Sequence, residues 1–131
     1  MKSLPPYAHT LGLSVVDTED GAPVLAMGFS SDVLGRPGFI HGGAIGGMLE
    51  MAAIAALYSQ FDDDDTPRFK PINVTVDYMR GGRDKETRAI GRVTRVGTRI
   101  ANVEAIAWQD DRSKPIAAAR MNILIVRGAH K

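Results

Sequence analysis

The 131-residue sequence contains no cysteine, which excludes disulfides, thiolate metal sites and a cysteine nucleophile. Carboxylates, hydroxyls and water remain as nucleophiles. An excess of charge of one sign is also missing. The formal net charge of +1 gives no general reason to expect nucleic acid or a membrane surface as partner, although a local cluster of arginines could still bind a phosphorylated small molecule. The N-terminus, Met1-Lys2-Ser3-Leu4-Pro5-Pro6, lacks the apolar core of a secretory signal, so a cytoplasmic location is expected. Residues 39–58 are long enough to bring a membrane span to mind, but His41, Glu50 and the glycines among them make lipid a costly environment, and a buried helix of a non-membrane protein is expected.

What is present fits one folded unit. Apolar residues make up 44% and charged residues 24% of the chain, ordinary globular values, and this length supports one hydrophobic core, so residues 1–131 are read as a single domain. Leu11–Asp17 and Val24–Ser30 have strand-like apolar content, with Glu19-Asp20-Gly21 as turn chemistry between them, which predicts a hairpin. Gly35, Pro37 and Gly38 break regular structure in residues 31–39. A helix then follows to Tyr58. Its Ile45, Met48, Leu49, Ala52 and Ala56 share one face, and Gly43, Gly47, Glu50, Ile54 and Leu57 share the opposite one. A helix with no polar side is buried all round, and a partner subunit is the expected cover.

The four aspartates Asp62–Asp65 are read as a solvated turn, because metal loops space their oxygen ligands at alternate positions. Four strands are predicted after them, at Ile72–Met79, Glu86–Val96, Ile100–Gln109 and Ile116–Val126, joined by short Gly-, Asp- and Arg-containing turns. Those connections favour an antiparallel meander. The fold class is α+β, with a curved antiparallel sheet wrapped around one long helix.

Chemistry concentrates in "HGGAIGGMLEMA", residues 41–52. Gly42 and Gly43 fall at the helix start, where backbone N–H groups lack acceptors and can hold an oxyanion. Glycine also lets a ligand carbonyl come close. Gly46 and Gly47 precede Glu50 by one turn on nearly the same side, which would open space beside that carboxylate. A carboxylate in apolar surroundings is a stronger base near neutral pH; the plain alternative is a glutamate paired with an arginine across an interface. His41 is read as structural, holding the loop that presents the Gly42 amide.

The spacing of His41-Gly42-Gly43 and Glu50, together with "NVTVDYMRGG", "RVTRVGTRIANVEAIAW" and "PIAAARMNILI", resembles the hotdog-fold acyl-CoA thioesterases of the PaaI (phenylacetyl-CoA thioesterase) type. The resemblance implies a homodimer or homotetramer with active sites built from two subunits, an acyl-CoA substrate and no cofactor or metal. It implies catalytic roles for Gly42 as carbonyl-polarising amide, for Glu50 of the other subunit as base or nucleophile, and for His41. Candidate substrate-binding residues are Gly43, Gly47, Ile54 and Arg80; Arg95, Gly97 and Arg99, around a hairpin turn, are candidates for the coenzyme A phosphates, with Arg80 and Arg83 as weaker ones for the same task. The chain departs from the family in three places. Glu50 replaces the aspartate usual in the PaaI branch, Gly35 stands where an asparagine is common, and Arg80 stands where some relatives have a water-orienting serine. The loss at Gly35 keeps a non-catalytic acyl-CoA-binding domain in view beside the hydrolase; Asp32, Arg36 or ordered water would otherwise have to substitute. An enoyl-thioester hydratase or dehydratase would call for Asp/His or His/Glu pairings in other local motifs.

Overall fold

The computed structural model describes residues 3–128. A short helix α1 (Pro6–Thr10) leads into β1 (Leu13–Glu19) and β2 (Ala22–Met27), then the long helix α2 (Gly42–Tyr58), β3 (Arg68–Tyr78), β4 (Thr87–Val96), β5 (Ile100–Trp108) and β6 (Ala117–Val126). The strands form one six-stranded antiparallel sheet in the order β1-β2-β4-β5-β6-β3, packed around α2. This is the hotdog arrangement.

The predicted meander holds only for β4, β5 and β6. β3 does not lie beside β4; it crosses to the far edge and pairs with β6 from Arg68↔Val126 to Tyr78↔Ala117. The reason lies in the connection, residues 79–86. It is too long for a tight hairpin and runs over the start of α2, where a Cβ on Gly82 would come within 3.0 Å of Ile45 and 3.2 Å of Ile116.

Alternation along the strands sorts the side chains. On β6, Ala117, Ala119, Met121, Ile123 and Ile125 are buried towards the helix, while Ala118, Arg120, Asn122, Leu124 and Val126 face outward, as period-two patterning requires. The outward face has a small apolar cluster of Val24, Ile90 and Trp108, with the Arg112 guanidinium 4.7 Å from the Trp108 ring centre. Farther along that face an asparagine ladder links three strands: Asn102 donates to Asn122, and Asn122 donates to Asn73 at 3.0 Å.

α2 lies directly on β4. A Cβ on Gly91 would fall 2.5 Å from the Ala52 carbonyl oxygen and 2.9 Å from Ala53 Cα, a separation no side chain tolerates. Glycine below and alanines above therefore set how closely helix and sheet approach. The expectation that a partner must cover both sides of this helix needs correction. Eleven of its seventeen residues, Ile54 and Leu57 included, are already buried by their own chain. Between Gly42 and Leu57 only Gly42, Gly43, Gly46, Gly47 and Glu50 are not buried. Exposed large apolar side chains lie instead off the helix, among them Val15 and Val16 on the edge strand β1 and, on the other edge strand β3 and just beyond it, Ile72, Val74, Tyr78 and Met79, which are 51%, 43%, 54% and 50% exposed. The aspartate run forms a 3-10 turn at Asp63–Asp65, all of it exposed, and among the described residues no helix is long and apolar enough to cross a membrane.

Candidate active site

His41 is the N-cap of α2, with extended backbone angles (φ −60°, ψ 134°), and it accounts for almost every donor of the first turn. Its Nδ1 accepts from the Gly43 N–H at 2.8 Å. Its carbonyl accepts from Ala44 at 3.0 Å and Ile45 at 3.2 Å. The Gly42 N–H alone among these four has no acceptor among the described residues. It sits at the positive end of the helix dipole, with no side chain to shield it.

Tyr78, at the end of β3, fixes the other side of this peptide. Its hydroxyl donates to the Gly42 carbonyl at 2.7 Å. The Gly42–Gly43 peptide is thus held by Tyr78 at its oxygen and by His41 at its N–H, leaving the preceding amide, that of Gly42, pointing at unoccupied space. The Tyr78 ring also lies where a Gly42 side chain would begin, 3.5 Å from its Cβ position, and its hydroxyl is 3.2 Å from the Cβ position of Gly46.

Two grooves flank the helix start. One, of about 570 Å³, takes in Gly35, Phe39, Ile40, Gly42, Tyr78 and Met79 together with Arg36 and Arg80. The other, of about 660 Å³, lies on the Gly43 side and takes in Tyr7, Leu11, Asp32, Leu34 and Ala44. His41 borders both. Both volumes lie within the range of small-molecule sites. Of the two residues weighed as substitutes for the family's asparagine, Arg36 is therefore in the Gly42 groove and Asp32 in the Gly43 groove. Gly35 itself abuts the cap: a Cβ there would be 3.0 Å from His41 Cα and 3.1 Å from its nitrogen. The loop passes so close to His41 that a side chain at this position would require the loop or the cap to give by a few tenths of an ångström.

Glu50 is half buried and has no hydrogen-bond or ion-pair partner among the described residues. It closes the open stripe that begins at Gly43 and runs through Gly46 and Gly47. The space expected beside it is partly filled: the Tyr7 ring comes within 2.6 Å of the Cβ position of Gly47. Eight residues separate Gly42 from Glu50 on one helix, about 12 Å of axial rise. One chain therefore does not bring these two groups to the same atom. Ile54 is 4% exposed within the core and lines neither groove.

Arg95, Gly97 and Arg99 lie at the turn between β4 and β5, with Gly97 donating to the Ile100 carbonyl at 2.9 Å and the Arg95 guanidinium 3.1 Å from the Gly97 Cβ position. Both arginines are exposed. The same turn accepts a hydrogen bond from Arg127, at the Thr98 carbonyl, and Arg127 lies over Phe61 just past the end of α2. This hairpin thus sits by the C-terminal end of the helix, about 25 Å along the axis from Gly42, and does not share a groove with it in one chain.

Tyr7 and Tyr78 were not singled out from the sequence. The alternation of β3 placed Tyr78 with Val74 and Val76, which was the available signal. For Tyr7 the only signal was Pro5-Pro6, since proline suits the first turn of a helix.

A family profile described as the Thioesterase superfamily matches residues 37–116, more than half of the chain. A protein from Chromobacterium violaceum has 35% identity with it over 95% of this chain and 85% of that one, with a TM-score of 0.72. A conserved protein from Pseudomonas aeruginosa has 25% identity over 94% and 95%, with a TM-score of 0.80. A phenylacetic acid degradation-related protein from Ralstonia eutropha shares the fold at 22% identity over 94% of this chain and 92% of that one, with a TM-score of 0.77. No curated protein sequence matches significantly.

Proposed function

Since the chain belongs to the thioesterase superfamily, we propose that it is a cytoplasmic enzyme that hydrolyses an aromatic or medium-chain acyl-CoA to the free acid and CoA. The observation that carries this reading is the unclaimed Gly42 N–H, opening on a groove of about 570 Å³. A thioester oxygen placed there receives a hydrogen bond that strengthens as negative charge develops on it. Water adds to the carbonyl carbon, the carbon–sulfur bond breaks, and the proton lost by water is returned to the departing thiolate. Glu50 carries that proton, or attacks the carbonyl itself in a two-step version of the reaction.

The axial separation of about 12 Å supports a site in which Glu50 comes from a second subunit. The exposed Ile72, Val74, Tyr78 and Met79 at the β3 edge offer a surface for pairing two sheets, giving a dimer or, by association of two dimers, a tetramer. The second reading, a domain that binds acyl-CoA without hydrolysing it, draws on Gly35, whose contact with His41 leaves no side chain to orient water.

Two substitutions test the proposal. Glu50→Gln keeps size and removes the charge, and kcat for acyl-CoA hydrolysis should fall by roughly 100-fold or more. Gly42→Pro removes the N–H and puts the proline ring carbon Cδ on that nitrogen in its place. Proline is favoured at the first position of a helix, the extended His41 backbone (φ −60°, ψ 134°) suits a residue before proline, and the nearest atoms to the new Cβ are at 3.5 Å. Turnover should fall by about 10²–10³ with the circular dichroism spectrum unchanged. Parental turnover in either folded variant would refute the mechanism.

A further inference from the structure

Three guanidinium groups gather at the mouth of the Gly42 groove. Arg36 and Arg80 line it, and Arg36 and Arg83 both lie against the Phe39 ring, at 4.0 Å and 4.5 Å from its centre. All three are exposed. None forms an ion pair among the described residues, although four other basic side chains, Lys85, Arg88, Arg92 and Arg112, do so. The groove lining contains no carboxylate. Asp111 is held below its ordinary range by hydrogen bonds from Ser113 and, to a smaller extent, by the charge of Arg80.

The backbone holds this cluster in place. Phe39 and Arg83 form a β-bridge. Gln109 grips Arg83 from both sides, accepting from its N–H at 3.0 Å and donating to its carbonyl at 2.9 Å. Stacking on Phe39 occupies the flat faces of Arg36 and Arg83 and leaves their in-plane N–H groups for an acceptor in solution. An apolar trough that ends in fixed, unpaired guanidinium edges matches a ligand with an uncharged arm and a phosphate end.

We infer that Arg36, Arg80 and Arg83 form the binding site for the phosphates of the thioester's carrier, with the uncharged pantetheine arm lying along Phe39, Tyr78 and Met79 towards Gly42. This rests on the reading of the Gly42 groove as the thioester site. It places the phosphates on the same chain as the Gly42 amide and not at Arg95 and Arg99, which lie near the opposite end of α2.

The test is equilibrium titration of the folded protein with coenzyme A itself, at low and at high salt, by calorimetry. Arg36→Gln/Arg80→Gln/Arg83→Gln should bind coenzyme A about tenfold or more weakly, with a shallower salt dependence than the parent. Arg80→Gln alone, which leaves the Phe39 stack untouched, should lose several-fold and decides the matter if the triple variant does not fold. Parental affinity in the folded variants, a loss confined to Arg95→Gln/Arg99→Gln, or no binding of coenzyme A by the parent would each overturn the site. Because binding is read and not turnover, a protein that takes up coenzyme A through these arginines yet hydrolyses no ester would lose the proposed function and keep the phosphate site.

Discussion

The two halves of α2 are built from similar small and aliphatic residues and meet opposite requirements. From Met51 to Leu57 every residue is buried, and the alanines lie so near the sheet that only glycine fits at position 91. From Gly42 to Glu50 the outward positions are glycines ending in one carboxylate, and tyrosines from two other elements, Tyr7 and Tyr78, lie over them without sealing them. Small residues serve close packing in the C-terminal half and access to the backbone in the N-terminal half. Composition alone does not tell these uses apart; what lies across from each residue does.

The sharpest way to break the comparison is to add one methyl group at each half, in the strand beneath the C-terminal half and in the first turn of the N-terminal half. Gly91→Ala puts a Cβ 2.5 Å from the Ala52 carbonyl oxygen, so helix or strand must shift, at a cost of about 3 kcal/mol; thermal unfolding of the variant should begin several degrees below the parent. At Gly42 the nearest atoms to the same methyl group are at 3.5 Å, and Gly42→Ala should leave the melting temperature close to the parental value. Equal losses at the two positions would contradict the distinction.

A smaller effect is expected from Tyr78→Phe, which keeps the ring over Gly42 and Gly46 and removes the hydrogen bond to the Gly42 carbonyl. The loss is that of one neutral hydrogen bond, about 1 kcal/mol, and it should lower kcat severalfold while KM changes little, because the bond holds the amide and does not touch the acyl-CoA. A change in KM alone would make Tyr78 a wall of the groove and nothing more.

The smallest effect belongs to Tyr58, at the buried end. Burial raises its phenol above the ordinary value of 10.0, so the folded state holds the proton more tightly than the unfolded one. The stability tied to it is fully present below about pH 10 and is lost as pH rises through the folded value. Tyr58→Phe should therefore flatten the alkaline limb of a stability–pH curve without altering it at neutral pH. An unchanged alkaline limb would show that Tyr58 does not contribute to it.

The architecture was legible in the sequence because its elements announce themselves locally. The helix start at Gly42–Gly43, the hairpin between β4 and β5 and the alternation of Ile72, Val74, Val76 and Tyr78 in β3 all rest on turn chemistry and period. Boundaries moved by a residue or two, and β3 began earlier than expected: Pro71 lies inside it, tolerated because β3 is an edge strand with a bulge between Pro71 and Asn73. The place of β3 in the sheet was not legible, since which edge a strand joins is settled by long-range packing, here by the connection that runs over Ile45 and Ile116. At the site, His41, Gly42 and Glu50 could be picked out by spacing. The hold of Tyr78 on Gly42 spans 36 residues of sequence, and no local pattern encodes it. Nor does the aspartate-free, arginine-rimmed groove appear in any single motif, because its cations come from the loop before the helix and the loop after β3.

The claim on which the account turns is that Gly42 of one chain works with Glu50 of another, and subunit mixing tests it most directly. Gly42→Pro and Glu50→Gln homodimers should each be nearly inactive. When the two chains are co-expressed and pair at random, half of the dimers are mixed, and each mixed dimer holds one site with both groups intact, so about a quarter of the parental turnover should return. Mixed dimers confirmed by mass that remain as inactive as either variant alone would contradict the shared site.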